Sequence, residues 1–154
     1  MDSLEAKFKV DYPEFNLDVE LTLPARGVTV VFGPSGSGKT TLLRCLSGLE
    51  KAPSGYMKIA DQVWQDEKTF IPIQERKIGM VFQESRLFPH LSIQDNLLYG
   101  YQRTQPAERN LQLDEVAQVL NLEALLKRRP EKLSGGERQR VAIGRALLTS
   151  PKLL

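Results

Sequence analysis

A glycine-rich segment constrains the fold of this chain more than any other feature of its sequence. It matches the pattern G-x-x-x-x-G-K-[ST] in full, as Gly33-Pro34-Ser35-Gly36-Ser37-Gly38-Lys39-Thr40. The β-branched run at 28–32 before it predicts a strand buried on both faces of a parallel sheet. Residues 39–48 after it predict a helix that ends at a glycine. This order of strand, loop and helix indicates an α/β fold with a phosphate site.

The residue types in this segment suit the binding of a nucleoside triphosphate. Glycines let the backbone wrap closely enough to direct several N–H groups at phosphate oxygens, and the start of the helix adds partial positive charge. Lys39 would contact the β- and γ-phosphates, Thr40 would help to hold Mg²⁺, and Thr41 would donate to the α-phosphate. A plain glycine-rich turn is the alternative, which the complete match and its context disfavour.

A second glycine cluster lies at the start of the last predicted helix. Ser134, with Glu137 three residues later, forms a capping-box pattern. Capping does not explain Gly135 and Gly136, since glycine costs about 1 kcal/mol relative to alanine inside a helix. Two residues without side chains at a helix start favour the close approach of an anion. The sequence therefore predicts two separate helix starts that attract anions.

The rest of the chain predicts an antiparallel sheet at the beginning and helices near the end. The predicted strands are 6–10, 15–23, 57–59 and 62–64, with a buried strand at 78–82 and another beginning at 153. The predicted helices are 92–98, 113–120, 122–126 and 134–148. We expect about 1–85 to hold the β-subdomain and the glycine-loop core, about 86–130 a helical subdomain, and 131–154 the last helix and a strand start.

Composition excludes several classes of protein. The chain has 154 residues with a net charge of +2, which is too small to indicate a nucleic-acid partner. A single cysteine, Cys45, excludes an internal disulfide, and a single histidine, His90, leaves no pair for a zinc cluster. No apolar run is long enough for a membrane span or a signal peptide, so we expect a cytoplasmic location. Cys45 is expected to be a packed residue.

The run Leu133-Ser134-Gly135-Gly136-Glu137-Arg138-Gln139-Arg140 resembles the signature motif of ABC-type ATPases. The glycine loop before it and Gln83 in between follow the order of that family, over about residues 10–154. The resemblance implies a P-loop NTPase fold with an N-terminal antiparallel β-subdomain and an inserted helical segment, with ATP and Mg²⁺ as cofactors. It also implies a homodimer, in which Ser134, Gly135, Gly136 and Glu137 of one subunit contact the triphosphate held by Lys39 of the other. The family often has glutamine where this chain has Glu137.

Several further residues take roles from the same resemblance. Gln83 is similar to the glutamine that reaches Mg²⁺ and the attacking water, the alternative being an ordinary polar residue at a strand end. Tyr12 or Phe15 would stack on adenine. Three apolar side chains after Gln83 would dock on a transmembrane permease or, alternatively, pack within the helical segment: Leu87, Phe88 and Leu91.

The resemblance implies the ATP-hydrolysing subunit of a bacterial ABC importer, peripheral at the cytoplasmic face of the inner membrane. It would work with permease subunits and, indirectly, with a periplasmic solute-binding protein. The segments 23–27, 86–92 and 96–100 resemble ATPases of molybdate importers more than those for sulfate, iron, sugar or polyamine, which remain alternatives. A non-transport ABC ATPase of repair or translation type and a small nucleotide kinase also remain open. The family's Walker B aspartate, catalytic glutamate and switch histidine would follow Leu154, so we expect weak ATP binding and no useful turnover from these residues alone.

Overall fold

The computed structural model describes residues 3–154, which form two compact units. The first unit extends to Arg76, and the second runs from Lys77 to Leu154. No helix among residues 3–154 combines the length and the apolar character that crossing a bilayer requires.

The first unit contains a four-stranded antiparallel sheet in the order β2-β1-β3-β4. Its strands are β1 (Ser3–Tyr12), β2 (Phe15–Pro24), β3 (Ser54–Ile59) and β4 (Gln62–Gln65). The hairpin of β1 and β2 is in register from Ser3 opposite Pro24 to Tyr12 opposite Phe15. The predicted antiparallel pair and the two short strands are therefore confirmed.

Buried and exposed side chains alternate along β1, and the buried ones form part of the core of the first unit. Leu4, Ala6, Phe8 and Val10 are buried, whereas the lysines between the last three are exposed. Helix α1 (Lys39–Ser47), which confirms the predicted helix, contributes Leu42, Cys45 and Leu46 to the buried set. Burial raises the pKa of the Cys45 thiol. Cys45 is thus the packed residue that the sequence predicts.

A buried arginine completes the C-terminal end of α1. Gly48 ends the helix in the left-handed region, with a φ of 77°. Arg76 donates from Nη1 to the Leu46 carbonyl at 2.8 Å and from Nε to the Ile71 carbonyl at 2.7 Å. A Cβ at Gly48 would lie 2.6 Å from this guanidinium. Arg76 therefore satisfies carbonyls that the end of a helix leaves free, although burial lowers its pKa.

The prediction that residues 28–32 and 78–82 form strands of a parallel sheet is wrong for the described structure. Residues 28–32 form no strand, and Val28 and Phe32 are 93% and 97% exposed. Residues 78–82 contribute one parallel bridge, between Ile78 and Leu153, where a further strand was predicted to begin. A strand needs a neighbour that satisfies its backbone donors and acceptors. No strand among residues 3–154 pairs with 28–32, so this segment lies open to solvent.

Three helices form the second unit: α2 (Ile93–Tyr101), α3 (Leu113–Val119) and α4 (Gly135–Leu147). They confirm the predicted helices, while the one predicted at 122–126 is a single 3₁₀ turn, Glu123–Leu125. Gly144 lets α4 approach α2 closely, because a Cβ there would lie 2.8 Å from a methyl carbon of Leu97. The helices share one apolar core made of Ile93, Leu97, Val116, Ala117, Leu122, Leu125, Leu133, Val141 and Leu148.

Candidate functional site

The glycine loop before α1 has the backbone geometry that its sequence requires. Gly36 and Gly38 have φ values of 82° and 84°, in the left-handed region that favours glycine. Space is also limiting, since a Cβ on Gly38 would lie 2.5 Å from Cζ of Phe15. A Cβ on Gly33 would lie 2.9 Å from the Ser37 hydroxyl. Glycine is therefore required for the backbone turns of the loop and for its close packing against the β1–β2 hairpin.

Lys39 holds its ammonium group within this loop. Its Nζ donates to the Gly33 carbonyl at 2.9 Å, to the Pro34 carbonyl at 2.6 Å and to the Ser37 hydroxyl at 3.3 Å. Within residues 3–154 no carboxylate forms an ion pair with Lys39. The charge is thus surrounded by neutral dipoles, and an anion entering the loop would be its first counter-charge.

The residues present suit Mg²⁺ bound together with phosphate. Thr40 is exposed in the first turn of α1, next to the lysine. The described part of the chain contains no cluster of three or more His, Cys, Asp or Glu residues that would hold a metal by itself. Because Mg²⁺ in phosphate sites is usually held by few protein ligands together with substrate oxygens, a hydroxyl beside a phosphate loop fits that donor set.

A groove of about 570 Å³ lies beside α1 in the first unit. Tyr12 and Phe15 stack in it with ring centroids 5.7 Å apart and planes 15° apart. The Tyr12 hydroxyl donates to Oε1 of Glu50, and Nε of Arg44 donates to the other carboxylate oxygen at 3.1 Å. Thr41 completes the lining. Both aromatic residues predicted to stack on adenine therefore share one groove with a predicted phosphate ligand.

The second glycine cluster forms an exposed helix start in the second unit. The Ser134 hydroxyl accepts from the Glu137 N–H at 3.3 Å, and the Glu137 carboxylate accepts from the Ser134 N–H at 2.7 Å. This is the predicted capping box. A Cβ on Gly135 or on Gly136 would meet no atom within 4 Å apart from its chain neighbours and the backbone of α4 itself. The two glycines thus leave bare backbone open to whatever approaches this end of α4.

The capping box makes the start of α4 sensitive to acid. The hydrogen bond from the Ser134 N–H is the main reason why the pKa of Glu137 lies below its ordinary value of 4.5. Stabilisation by an acid with a lowered pKa is present above the unfolded-state pKa and is lost as the pH falls through the folded-state pKa. We expect the free energy of unfolding, measured with urea, to fall less between pH 7 and pH 3 in Glu137→Gln than in the wild type. Identical pH profiles would contradict this role.

Two side chains of α4 hold the segment around Gln83. Gln83 itself is exposed. Gln139 donates to the Phe82 carbonyl at 3.4 Å, and Arg145 donates to the Ser85 and Arg86 carbonyls at 3.2 and 3.0 Å. Arg145 takes part in no motif that indicates this role, and burial lowers its pKa. Arg145 comes four residues after Val141 and three before Leu148, which are both buried. This spacing places the three residues on one side of the helix and is the sequence signal for the burial of Arg145.

The three apolar residues predicted for docking differ in their surroundings. Leu87 packs against the helical core, as the alternative interpretation held. Phe88 packs against Tyr99 with ring centroids 4.4 Å apart, and Leu91 is half-buried. Phe88, Tyr99 and Arg145 line a second groove of about 270 Å³. Phe88 is therefore the member of the predicted set that borders a concave surface.

Comparison with known proteins decides the family. The family model described as ABC transporter matches residues 17–154. The chain belongs to this family. A solved dimeric structure of an ATP-binding cassette in a post-hydrolysis state, bound to ADP and phosphate, has a TM-score of 0.74 at 28% identity. That likeness covers 96% of this chain and 70% of the solved chain. The α/β fold is therefore that of an ABC ATPase.

Among curated relatives, molybdenum import ATP-binding proteins named ModC are similar to this ABC chain. The protein of Thiobacillus denitrificans is 54% identical over 152 residues, which are 99% of this chain and 42% of the relative. ModC 1 of Azotobacter vinelandii is 54% identical over 155 residues, which cover 99% of this chain and 43% of the relative. ModC of Pseudomonas savastanoi is 52% identical over 153 residues, which cover 98% of this chain and 42% of the relative. The chain thus spans less than half the length of these relatives.

Proposed function

We propose that this chain is the nucleotide-binding part of an ATP-hydrolysing subunit of an ABC importer, and that molybdate is the imported solute. The observation that carries ATP binding is the folded glycine loop, in which Lys39 is held among neutral groups. Gly33, Pro34, Ser35, Gly36, Ser37, Gly38, Lys39, Thr40 and Thr41 bind the phosphates, and Thr40 with Gln83 holds Mg²⁺. Gln83 also orients the attacking water, and Tyr12 stacks on the base.

The second part of the proposal is that two copies share each ATP. The open backbone at Gly135 and Gly136, behind the Ser134–Glu137 capping box, supports it. These residues contact the γ-phosphate held by Lys39 of the other copy. A dimeric solved structure of the same fold is consistent with this assembly. In this arrangement catalysis consists of positioning and neutralisation of charge.

The third part concerns the membrane partner. A helix of a permease docks at the groove in the second unit that Phe88, Tyr99 and Arg145 line. Arg145 holds the backbone that follows Gln83, so the docking surface and Gln83 belong to one segment of the second unit. The subunit is peripheral on the cytoplasmic face of the inner membrane, and a periplasmic binding protein delivers the solute to the permease.

Radioactive uptake tests the importer assignment. Cells in which Lys39→Ala replaces the wild-type residue in the chromosomal gene should lose uptake of ⁹⁹Mo-molybdate and retain uptake of ³⁵S-sulfate. Loss of sulfate, iron, sugar or polyamine uptake with intact molybdate uptake would assign another solute. Unchanged uptake of all of these would favour a non-transport ATPase.

Sedimentation of the intact gene product tests the shared ATP site. With MgATP present, we expect the wild type to form dimers and Ser134→Arg to remain monomeric, because the arginine side chain fills the open space at the helix start. Ser134→Arg should still bind ATP in its own glycine loop. Dimers of Ser134→Arg with unchanged ATP dependence would contradict the shared site.

A further inference from the structure

The groove beside α1 contains two charged residues, Glu50 and Arg44, to which the proposed function gives no role. We propose that Glu50 is a positioning residue for Tyr12, so that the carboxylate fixes the tyrosine ring against which the nucleotide base stacks. This inference rests on the proposed binding of ATP at residues 33–41. It concerns how the base is recognised, whereas the glycine loop concerns the phosphates.

The contacts of Glu50 make it a fixed acceptor. One carboxylate oxygen accepts from the Tyr12 hydroxyl and the other from Nε of Arg44 at 3.1 Å. The Glu50 N–H also donates to the Arg44 carbonyl at 3.1 Å. The side chains of Glu50 and Arg44 are 23% and 50% exposed. Glu50 is therefore held at its backbone and at both carboxylate oxygens.

The other side of Tyr12 is fixed by the phosphate loop. Tyr12 is the last residue of β1 and stacks on Phe15, the first residue of β2. Phe15 in turn packs so closely on Gly38 that a Cβ there would lie 2.5 Å from its ring. The Tyr12 ring is thus held between a carboxylate and an aromatic ring that contacts the phosphate loop. Its orientation is set before any ligand enters.

The groove has the size and the neighbours that a base and ribose need. Its volume of about 570 Å³ lies within the usual range for small-molecule sites. Thr41, which lines it, comes two residues after Lys39. A nucleotide with phosphates in the loop therefore has its base at this groove. Because stacking on an aromatic side chain depends on the ring's orientation, an anchored ring loses less freedom on binding.

A purely structural role would look different in a binding experiment. If Glu50 only tied the hairpin to α1, its loss would loosen the phosphate loop and weaken every ligand of that loop alike. If Glu50 positions Tyr12, its loss weakens ligands that carry a base and spares ligands that have phosphates alone. MgATP and magnesium tripolyphosphate are the matched probes.

Isothermal titration calorimetry on the intact gene product measures both ligands for Tyr12→Phe, Glu50→Ala and the double variant. Tyr12→Phe keeps the ring and removes the hydroxyl. We expect each single variant to bind MgATP about 3- to 10-fold more weakly, as the loss of one hydrogen bond implies. The double variant should be no weaker than the weaker single variant, because both changes remove the same interaction. Tripolyphosphate binding should stay within about 2-fold of the wild type.

Glu20→Ala is the control, since it removes an exposed ion pair with Lys7 from the same sheet. It should leave both affinities unchanged. Additive losses in the double variant, an equal loss for both ligands, or unchanged MgATP binding would each overturn the role of Glu50. If the wild type binds neither ligand, the proposed function itself is wrong, and the role of Glu50 with it.

Discussion

Replacing Lys39 with alanine is expected to weaken MgATP binding by about 10- to 100-fold. Nζ of Lys39 has three partners, all of them neutral oxygens of its own loop, so the charge is available to phosphate. A hydrogen bond to a charged group is worth about 1.5–3 kcal/mol, which corresponds to that range of affinity. Isothermal titration calorimetry of the wild type and the variant measures the change.

Two further variants make the result for Lys39 specific. Lys39→Arg keeps the charge, but its planar guanidinium does not reproduce the compact ammonium within the loop, so we expect partial loss. Lys9→Ala removes an exposed lysine of β1 and should bind MgATP as the wild type does. Equal affinities of the wild type and Lys39→Ala would contradict the assignment of the phosphate site.

Replacing Asn96 with leucine is expected to lower the free energy of unfolding by about 1–3 kcal/mol. Asn96 is fully buried in α2. Its side chain accepts from the Phe88 N–H at 2.8 Å and donates to the carbonyls of Phe88 and Ser92 at 3.0 and 2.9 Å. Leucine leaves the Phe88 N–H without a partner, whereas the Phe88 and Ser92 carbonyls still accept from the N–H groups of Leu91 and residue 96. A buried unpaired group costs about 1–3 kcal/mol. Urea unfolding at pH 7 gives the difference.

The companion variants separate lost hydrogen bonds from other effects. Gln94→Leu makes the same kind of change at an exposed position of α2 and should alter stability by less than about 0.5 kcal/mol. Asn96→Asp places a carboxyl group against two carbonyls, which raises its folded-state pKa. Its stability should therefore recover as the pH falls toward 4, where the carboxyl becomes neutral. A loss in Gln94→Leu as large as that in Asn96→Leu would contradict the role of Asn96.

The elements with local signals are predictable from the sequence. Alternating apolar residues identify β1 and β2, and Ser134 with Glu137 identifies the start of α4. The run at 28–32 shows the limit of such patterns. Its composition indicates residues suited to burial, but burial also requires pairing strands, and none of the strands described between residues 3 and 154 supplies them.

The candidate site likewise contains features that the local sequence predicts and contacts that it does not predict. The glycine loop is predictable because its geometry depends on residues adjacent in sequence, such as Gly36 and Gly38. The contact of Tyr12 with Glu50 joins residues 38 positions apart, and that of Arg145 with Ser85 spans 60. No periodic pattern encodes such pairs, since they arise only once the hairpin and the helices have packed. Sequence therefore predicts the conformation of the glycine loop better than the contacts that hold Tyr12 or the Gln83 segment.

The most direct test of ATP binding by the glycine loop is a map of ¹⁵N–¹H chemical shifts as MgATP is added to the chain. We predict that the largest changes fall on the backbone N–H groups of residues 35–41, with smaller ones at Tyr12 and Glu50, because the loop directs its donors at the phosphates. In Lys39→Ala these changes should require much higher MgATP concentrations. Shifts confined to other parts of the chain, with 35–41 unmoved at saturation, would contradict the assignment of this loop as the nucleotide site.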